Sequence, residues 1–102
     1  MEAAKHDAGK ARFDLIPARP LQELAMIYTQ GAQKYEPRNW ERGMDWGRVY
    51  AAIMRHLIAW HGGEDNDPED GLSHIAHAAW GLFTLMEYAQ THPDLDYRRG
   101  ST

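Results

Sequence analysis

From Asp45 to Gly63 the sequence allows one regular structure. Trp46, Val49, Tyr50, Ile53, Leu57 and Trp60 recur at helical spacing and trace a single apolar stripe. Asp45 is a good N-cap ahead of it, and Gly62 and Gly63 end it. Pro68 then forbids easy continuation as helix. A second apolar stretch starts near Ser73, carries Ile75, Ala76, Ala79, Leu82, Phe83 and Met86, and is closed by Pro93. These two stretches form a helical hairpin whose connection is the acidic segment between them. The later stretch is apolar on more than one face, which calls for two packing neighbours, and a second subunit is one source of them.

The rest of the chain fits around this hairpin. Leu21, Leu24, Ala25, Ile27 and Tyr28 also lie at helical spacing, with Pro20 just ahead of them, so residues 21–35 read as another helix. Residues 36–44 contain Pro37, Asn39 and Gly43 and read as a loop. Residues 1–20, broken by Gly9, Pro17 and Pro20, read as an extended arm, and the polar residues 94–102 as a loose tail. No strand-period segment or internal repeat is present. The expected fold class is all-α: a small helical bundle built on the hairpin of the second and third helices, with an extended N-terminal arm. At 102 residues the chain is expected to form one domain, 1–102.

Composition excludes several classes of function. A formal net charge of -4 does not suit a protein that coats DNA or RNA. The absence of cysteine rules out a disulfide framework, a thiol nucleophile and a Cys-ligated zinc. The N-terminal residues lack the order of a signal peptide, and no apolar run has the length of a membrane span. The expectation is a soluble, cytoplasmic protein.

Five of the seven residues from Glu64 to Asp70 are acidic. Such crowding costs repulsion unless the loop is fully solvated or a cation neutralises it. A solvated helix connection is the simpler reading of the loop taken alone. An EF-hand does not fit, because Asp70 stands where the calcium loop needs glycine. His74 and His77 follow directly, three residues apart and so on one helical face. In an antiparallel hairpin His56 falls beside them. Glu64, Asp67, His74, His77 and His56 are therefore candidate ligands for a divalent cation, with magnesium, manganese or zinc compatible with oxygen and imidazole donors. Singly, each histidine also reads as an ordinary hydrogen-bonded or surface residue. His61 and His92 are read as surface residues.

A second cluster is basic and aromatic. Lys34, Tyr35, Arg38, Asn39, Trp40 and Arg42 surround the first loop. Trp40 suits stacking on a base, Asn39 its polar edge and Lys34 a phosphate; for Trp40 the competing reading is a plug at the end of the bundle. Lys10 and Arg12 in the arm are further phosphate candidates, although the arm is not a P-loop, since it lacks the Gly-Lys-Ser/Thr ending. Arg55 stands mid-helix beside His56, where a charge implies a phosphate or a buried carboxylate.

Several motifs recur in one order along almost the whole chain. They are Lys-x-Asp-x-Gly-Lys-x-Arg from Lys5 to Arg12, Leu-Ile-Pro, Gly-Ala-x-Lys-Tyr from Gly31 to Tyr35, and Asn39-Trp40. Next come Gly43-Met44-Asp45-Trp46, Arg55-His56-Leu57, Ala59-Trp60, Gly63-Glu64, Asp67 and His74-x-x-His77-Ala78. This pattern resembles the phage-associated dATP/dGTP diphosphohydrolase N-terminal family, relatives of the MazG-like all-α nucleotide pyrophosphohydrolases. Some members of that family act in the pathway that makes 2-aminoadenine for phage DNA. The resemblance implies hydrolysis of a purine deoxynucleoside triphosphate, dGTP or dATP, to the monophosphate and pyrophosphate. It also implies Mg2+ or Mn2+ and a homodimer or homotetramer. MazG-like enzymes usually hold metals with Glu-x-x-Glu and Glu-x-x-Asp pairs on successive helices. Here the second helix has no such pair, the third shows His74-x-x-His77, and Gln33 stands where glutamate is common.

On this reading Glu64, Asp67, His74 and His77, with His56, hold one or two cations that lower the pKa of an attacking water. Glu69 or Asp70 serves as general base, and Lys10, Arg12, Lys34 and Arg55 balance the charge of the triphosphate. Trp40 and Asn39 hold the base. The alternatives from other classes are a non-catalytic nucleotide or metal sensor and a helical adaptor.

Overall fold

The computed structural model describes residues 2–98. Its helices are α1 (Ala18–Lys34), α2 (Trp46–His61) and α3 (His74–Thr91), with short 3-10 turns at Phe13–Leu15, Asn39–Arg42 and Pro93–Leu95. Among the described residues there is no β-strand, only an isolated antiparallel bridge between Asn66 and Ser73. The fold is the all-α hairpin bundle that the periodicity predicts. Both neighbours of α3 lie within this chain, since it packs along α2 and against α1. A stripe of Ile75, Leu82, Phe83 and Met86 nonetheless stays exposed on its outer side.

Capping chemistry sets the hairpin's ends. The Asp45 carboxylate accepts the Gly47 N–H at 2.8 Å, and Ser73 Oγ accepts the N–H groups of Ile75 and Ala76. Each cap satisfies backbone donors that have no partner inside the helix. At α1 the observed start corrects the expected arm of residues 1–20. The helix begins at Ala18, with Pro17 in the N-cap position and Pro20 in the first turn. Proline is tolerated there because first-turn N–H groups accept no helical role.

The core is a cluster of Trp46, Val49, Ile53, Ala78 and Tyr88, flanked by Trp40, Met44, Leu57, Leu85 and Leu95. Gly81 decides how closely α2 and α3 approach. A Cβ on Gly81 would overlap Ile53 Cγ1 and stand 2.9 Å from Ile53 Cδ1, with Val49 Cγ1 at 3.6 Å. Hydrogen bonds tie the far end of the bundle. Tyr88, fully buried, donates its hydroxyl to the Trp40 carbonyl, the Trp46 indole N–H donates to the His92 carbonyl at 3.1 Å, and His92 Nε2 donates to the Glu41 carbonyl at 2.8 Å. His92 is therefore a structural link between loop and helix end, which corrects its reading as a surface residue.

The expectation of a loose tail from Asp94 is also corrected for residues 94–98. The Pro93–Leu95 turn brings Leu95 against the core, and the Arg98 guanidinium lies 5.0 Å from the Trp46 ring centre. The physical reason is the apolar Leu95 and the aromatic face of Trp46, which give a polar segment something to pack on. Residues 99–102 of that expectation lie outside the described residues.

The Gly81 contact generates a stability prediction. Gly81→Ala should lower unfolding free energy by about 1–3 kcal/mol, the usual cost of overpacking, even though alanine favours helix. Urea denaturation followed by circular dichroism measures it; an unchanged or higher midpoint would remove Gly81 as the spacer.

Candidate functional site

The acidic connection is an ordered structure built on backbone hydrogen bonds. The Asp67 N–H donates to the Leu72 carbonyl (2.8 Å), Gly71 N–H to the Asp67 carbonyl (2.7 Å), and His74 N–H to the Asp65 carbonyl (3.0 Å). Gly71, at φ 75°, supplies the left-handed turn that lets the loop close on itself. Two of the carboxylates are aimed by this scaffold. Asp67 accepts the Glu69 N–H on one oxygen and turns the other toward His56, 3.9 Å from its Nδ1. Asp70 accepts the Leu72 N–H on one oxygen and the His77 Nε2–H on the other, at 2.7 Å.

Three histidines meet these carboxylates. His56, from α2, stacks flat on His77, with ring centres 4.5 Å apart and planes 3° from parallel. His56 Nδ1 lies 2.9 Å from His74 Nδ1. His74 is only 4% exposed, and its Nε2 donates to Glu64 Oε1 at 2.6 Å. A hydrogen on Nε2 leaves His74 Nδ1 with a lone pair directed at His56. Two triplets of ligand atoms result, His56–Asp67–His74 and Asp67–Asp70–His77, each within 4.8 Å, sharing Asp67. The mixed imidazole and carboxylate donors fit a divalent cation.

Burial lowers the His56 pKa from its usual value, reinforced by His77 and His74 and opposed by Asp67. For Asp70 burial pushes upward. Hydrogen bonds from Leu72, His77 and Gln30, together with the His77 charge, outweigh it and leave the carboxyl below the ordinary range.

These groups form one wall of a cleft of about 1190 Å³ bounded by α1, the 36–44 loop, α2 and the acidic connection. That volume accommodates a nucleotide. Of the residues singled out in the sequence, Lys34, Asn39, Trp40, Arg55, His56, Asp67, Glu69, Asp70 and His77 all line it. His74 joins from behind through His56, and Glu64 stands outside both triplets, on His74. Glu69 is exposed and 3.5 Å from Lys34 Nζ, an ion pair across the cleft mouth. Trp40 is both plug and wall: it touches Tyr28 edge-on at 6.1 Å and tilts against Tyr88. Lys10 and Arg12 are not brought to this cleft. They line a separate hollow of about 560 Å³ within the arm, where Arg12 pairs with Asp14 at 2.6 Å.

The sequence reading missed Tyr28, Gln30, Arg48 and Trp80 as lining residues. Two carried a usable signal. Trp80 is three residues beyond His77, and Arg48 seven before Arg55, so each shares a helix face with a residue already singled out. Among the described residues, neither Arg48 nor Arg55 forms an ion pair, so their charge is available to an anion in the cleft.

The lowered His56 pKa sets a pH dependence for the cation-free protein. A base whose folded pKa lies below its unfolded value, 6.5, binds more protons when unfolded. Its stabilising contribution is present above pH 6.5 and is lost as pH falls through the folded pKa. Thermal melts in chelator should therefore decline below that pH, and His56→Gln should flatten this part of the profile. A wild-type curve that is flat from pH 7 to 5 would contradict it.

The family model described as dATP/dGTP diphosphohydrolase, N-terminal, matches residues 1–98. A curated relative, the dATP/dGTP diphosphohydrolase of Salmonella phage PMBT28, is 39% identical over 101 residues, covering 99% of this chain and 34% of that protein. The chain thus spans about a third of the curated relative it matches. No solved structure matches. With a family model covering nearly its full length, this chain belongs to the dATP/dGTP diphosphohydrolase N-terminal family.

Proposed function

We propose that the cleft hydrolyses a purine deoxynucleoside triphosphate, dGTP or dATP, to the monophosphate and pyrophosphate, with Mg2+ or Mn2+. The carrying observation is that one cleft combines a His–Asp cation wall with the guanidinium groups of Arg48 and Arg55, which form no ion pair among the described residues. A triphosphate needs both: a cation on its oxygens and positive charge around the remainder. The name of the phage relative, dATP/dGTP diphosphohydrolase, supports the choice of substrate.

His56, Asp67, His74, Asp70 and His77 are the residues that would hold one or two cations, with Glu64 behind His74. A divalent cation held there would offset phosphate charge and would lower the pKa of the attacking water. Lys34, Arg48 and Arg55, which line the same cleft, balance the triphosphate charge. Tyr28, Trp40 and Trp80 offer an aromatic wall for the purine, with Asn39 at its polar edge. Asp67 and Asp70 face the histidines, and the exposed Glu69, which pairs with Lys34 at 3.5 Å in the nucleotide-free cleft, is the carboxylate assigned to take a proton from water. The water oxygen bonds to the α-phosphorus as the bond to the pyrophosphate oxygen breaks. This assignment does not use Lys10 or Arg12, which line the arm's own hollow.

The reading extends to assembly and place. The exposed stripe of Ile75, Leu82, Phe83 and Met86 supports a homodimer or homotetramer. The proposed substrate places the activity in the cytoplasm, that of the host cell if the protein is phage-encoded. No helix among the described residues is long and apolar enough to cross a membrane.

A panel of the four deoxynucleoside triphosphates with Mn2+, read by thermal shift and by chromatography of products, tests the function. Monophosphate and pyrophosphate should appear from dGTP or dATP. Asp67→Asn and His77→Ala should each reduce turnover by at least about 100-fold. Stabilisation by nucleotide without product would favour a sensor, and neither effect a helical adaptor.

A further inference from the structure

We infer that the cation centre selects an imidazole-accepting first-row transition metal over magnesium, and that Glu64 is the positioning residue that makes His74 a ligand. The inference deepens the proposed function by specifying the metal class at the same site, and it rests on that reading only for the site's purpose.

The donor set differs from an oxygen cage. Magnesium favours oxygen ligands and gives up its water reluctantly. The His56–Asp67–His74 triplet offers two imidazole nitrogens and one carboxylate, and imidazole favours the transition metals. Its geometry agrees. Two nitrogens on one cation, at metal–nitrogen distances of about 2.0–2.1 Å, stand about 2.9 Å apart at right angles and about 3.3–3.4 Å apart at the tetrahedral angle. His56 Nδ1 and His74 Nδ1 are 2.9 Å apart.

The buried member of the pair cannot choose its orientation freely. The His74 side chain is as enclosed as much of the core, and its Nε2–H is held at 2.6 Å by Glu64 Oε1. That contact places the hydrogen on Nε2 and the lone pair on Nδ1, facing His56. Glu64 is half exposed and belongs to neither triplet, so its effect on the metal passes through His74. When no cation is bound, a hydrogen on His56 Nδ1 donates to that lone pair; for a cation to bind, His56 would carry its hydrogen on Nε2 instead, which frees both Nδ1 lone pairs. Remove Glu64 and the His74 proton can move to Nδ1, where it blocks the ligand atom.

The test uses the full chain without nucleotide, so that failure here and failure of the hydrolase reading remain distinct. Co2+ is titrated by its visible absorption, with Mg2+ as competitor. The expected result is Co2+ binding at least about tenfold tighter than Mg2+, with bands that report nitrogen ligation. Glu64→Ala should weaken Co2+ binding by about 10–100-fold, and Glu64→Gln, whose amide oxygen still accepts the Nε2–H, should restore most of it. Circular dichroism confirms that both variants keep their helices; His56→Asn, on the other imidazole, repeats the test should either unfold. Equal competition by Mg2+, or Co2+ affinity indifferent to Glu64→Ala in a folded variant, would overturn the inference. Selective Co2+ binding without nucleotide hydrolysis would uphold it while removing the proposed function.

Discussion

The distance between α2 and α3 is fixed where Ile53 lies over Gly81, and the site depends on that contact. His56 is one turn beyond Ile53, and His77 one turn before Gly81, so the pair that stacks at 4.5 Å sits directly beside the close approach. A side chain at residue 81 would push the helices apart and separate His56 from both His74 and His77. The apolar core and the polar centre are thus a single packing solution. The helices approach because one residue has no Cβ, and the imidazoles meet because the helices approach.

The acidic connection obeys a related economy. Carboxylates this close repel one another, yet Asp67 and Asp70 are only about 19% and 11% exposed on their side chains. Each is held by a backbone N–H on one oxygen and faces a histidine with the other. The loop's own backbone bonds, with the Asn66–Ser73 bridge, keep these oxygens in place without a long side chain to order. Repulsion is distributed instead of removed, and a cation at the shared Asp67 would relieve what remains. Glu64, Asp65 and Glu69 stay exposed, where water screens them.

The same cleft also carries positive charge. Arg48 and Arg55 project from α2 without ion-pair partners among the described residues, whereas Arg38 and Arg42 pair with Glu41 and Glu36 around the first loop. The loop that carries Asn39 and Trp40 is anchored through Tyr88 and His92 to the end of α3. The aromatic wall is therefore attached to the same helix that carries His74 and His77. This gives the two halves of the cleft a common rigid support, which a binding or catalytic site requires.

Much of this was legible in the residues. The stripe from Trp46 to Trp60, the Asp45 and Ser73 caps and the Gly62–Gly63 stop determined two helices and their antiparallel connection, because helical period and capping are local properties. The His74–His77 spacing likewise placed both imidazoles on one face. Other features depended on contacts remote in sequence. The period of α1 could not reveal that Pro20 is inside the first turn, and polarity alone could not show that Leu95 and Arg98 return to α2. Nor could spacing separate Asp67 and Asp70, which face histidines, from Glu64, which stands behind one. Those roles arise from a 2.9 Å approach between residues 18 positions apart, created by helix packing at Gly81. The sequence by itself determined which residues were helical and which chemistry the connection carried; tertiary packing alone decided which oxygen meets which nitrogen, because that choice depends on interhelical distance and not on local periodicity.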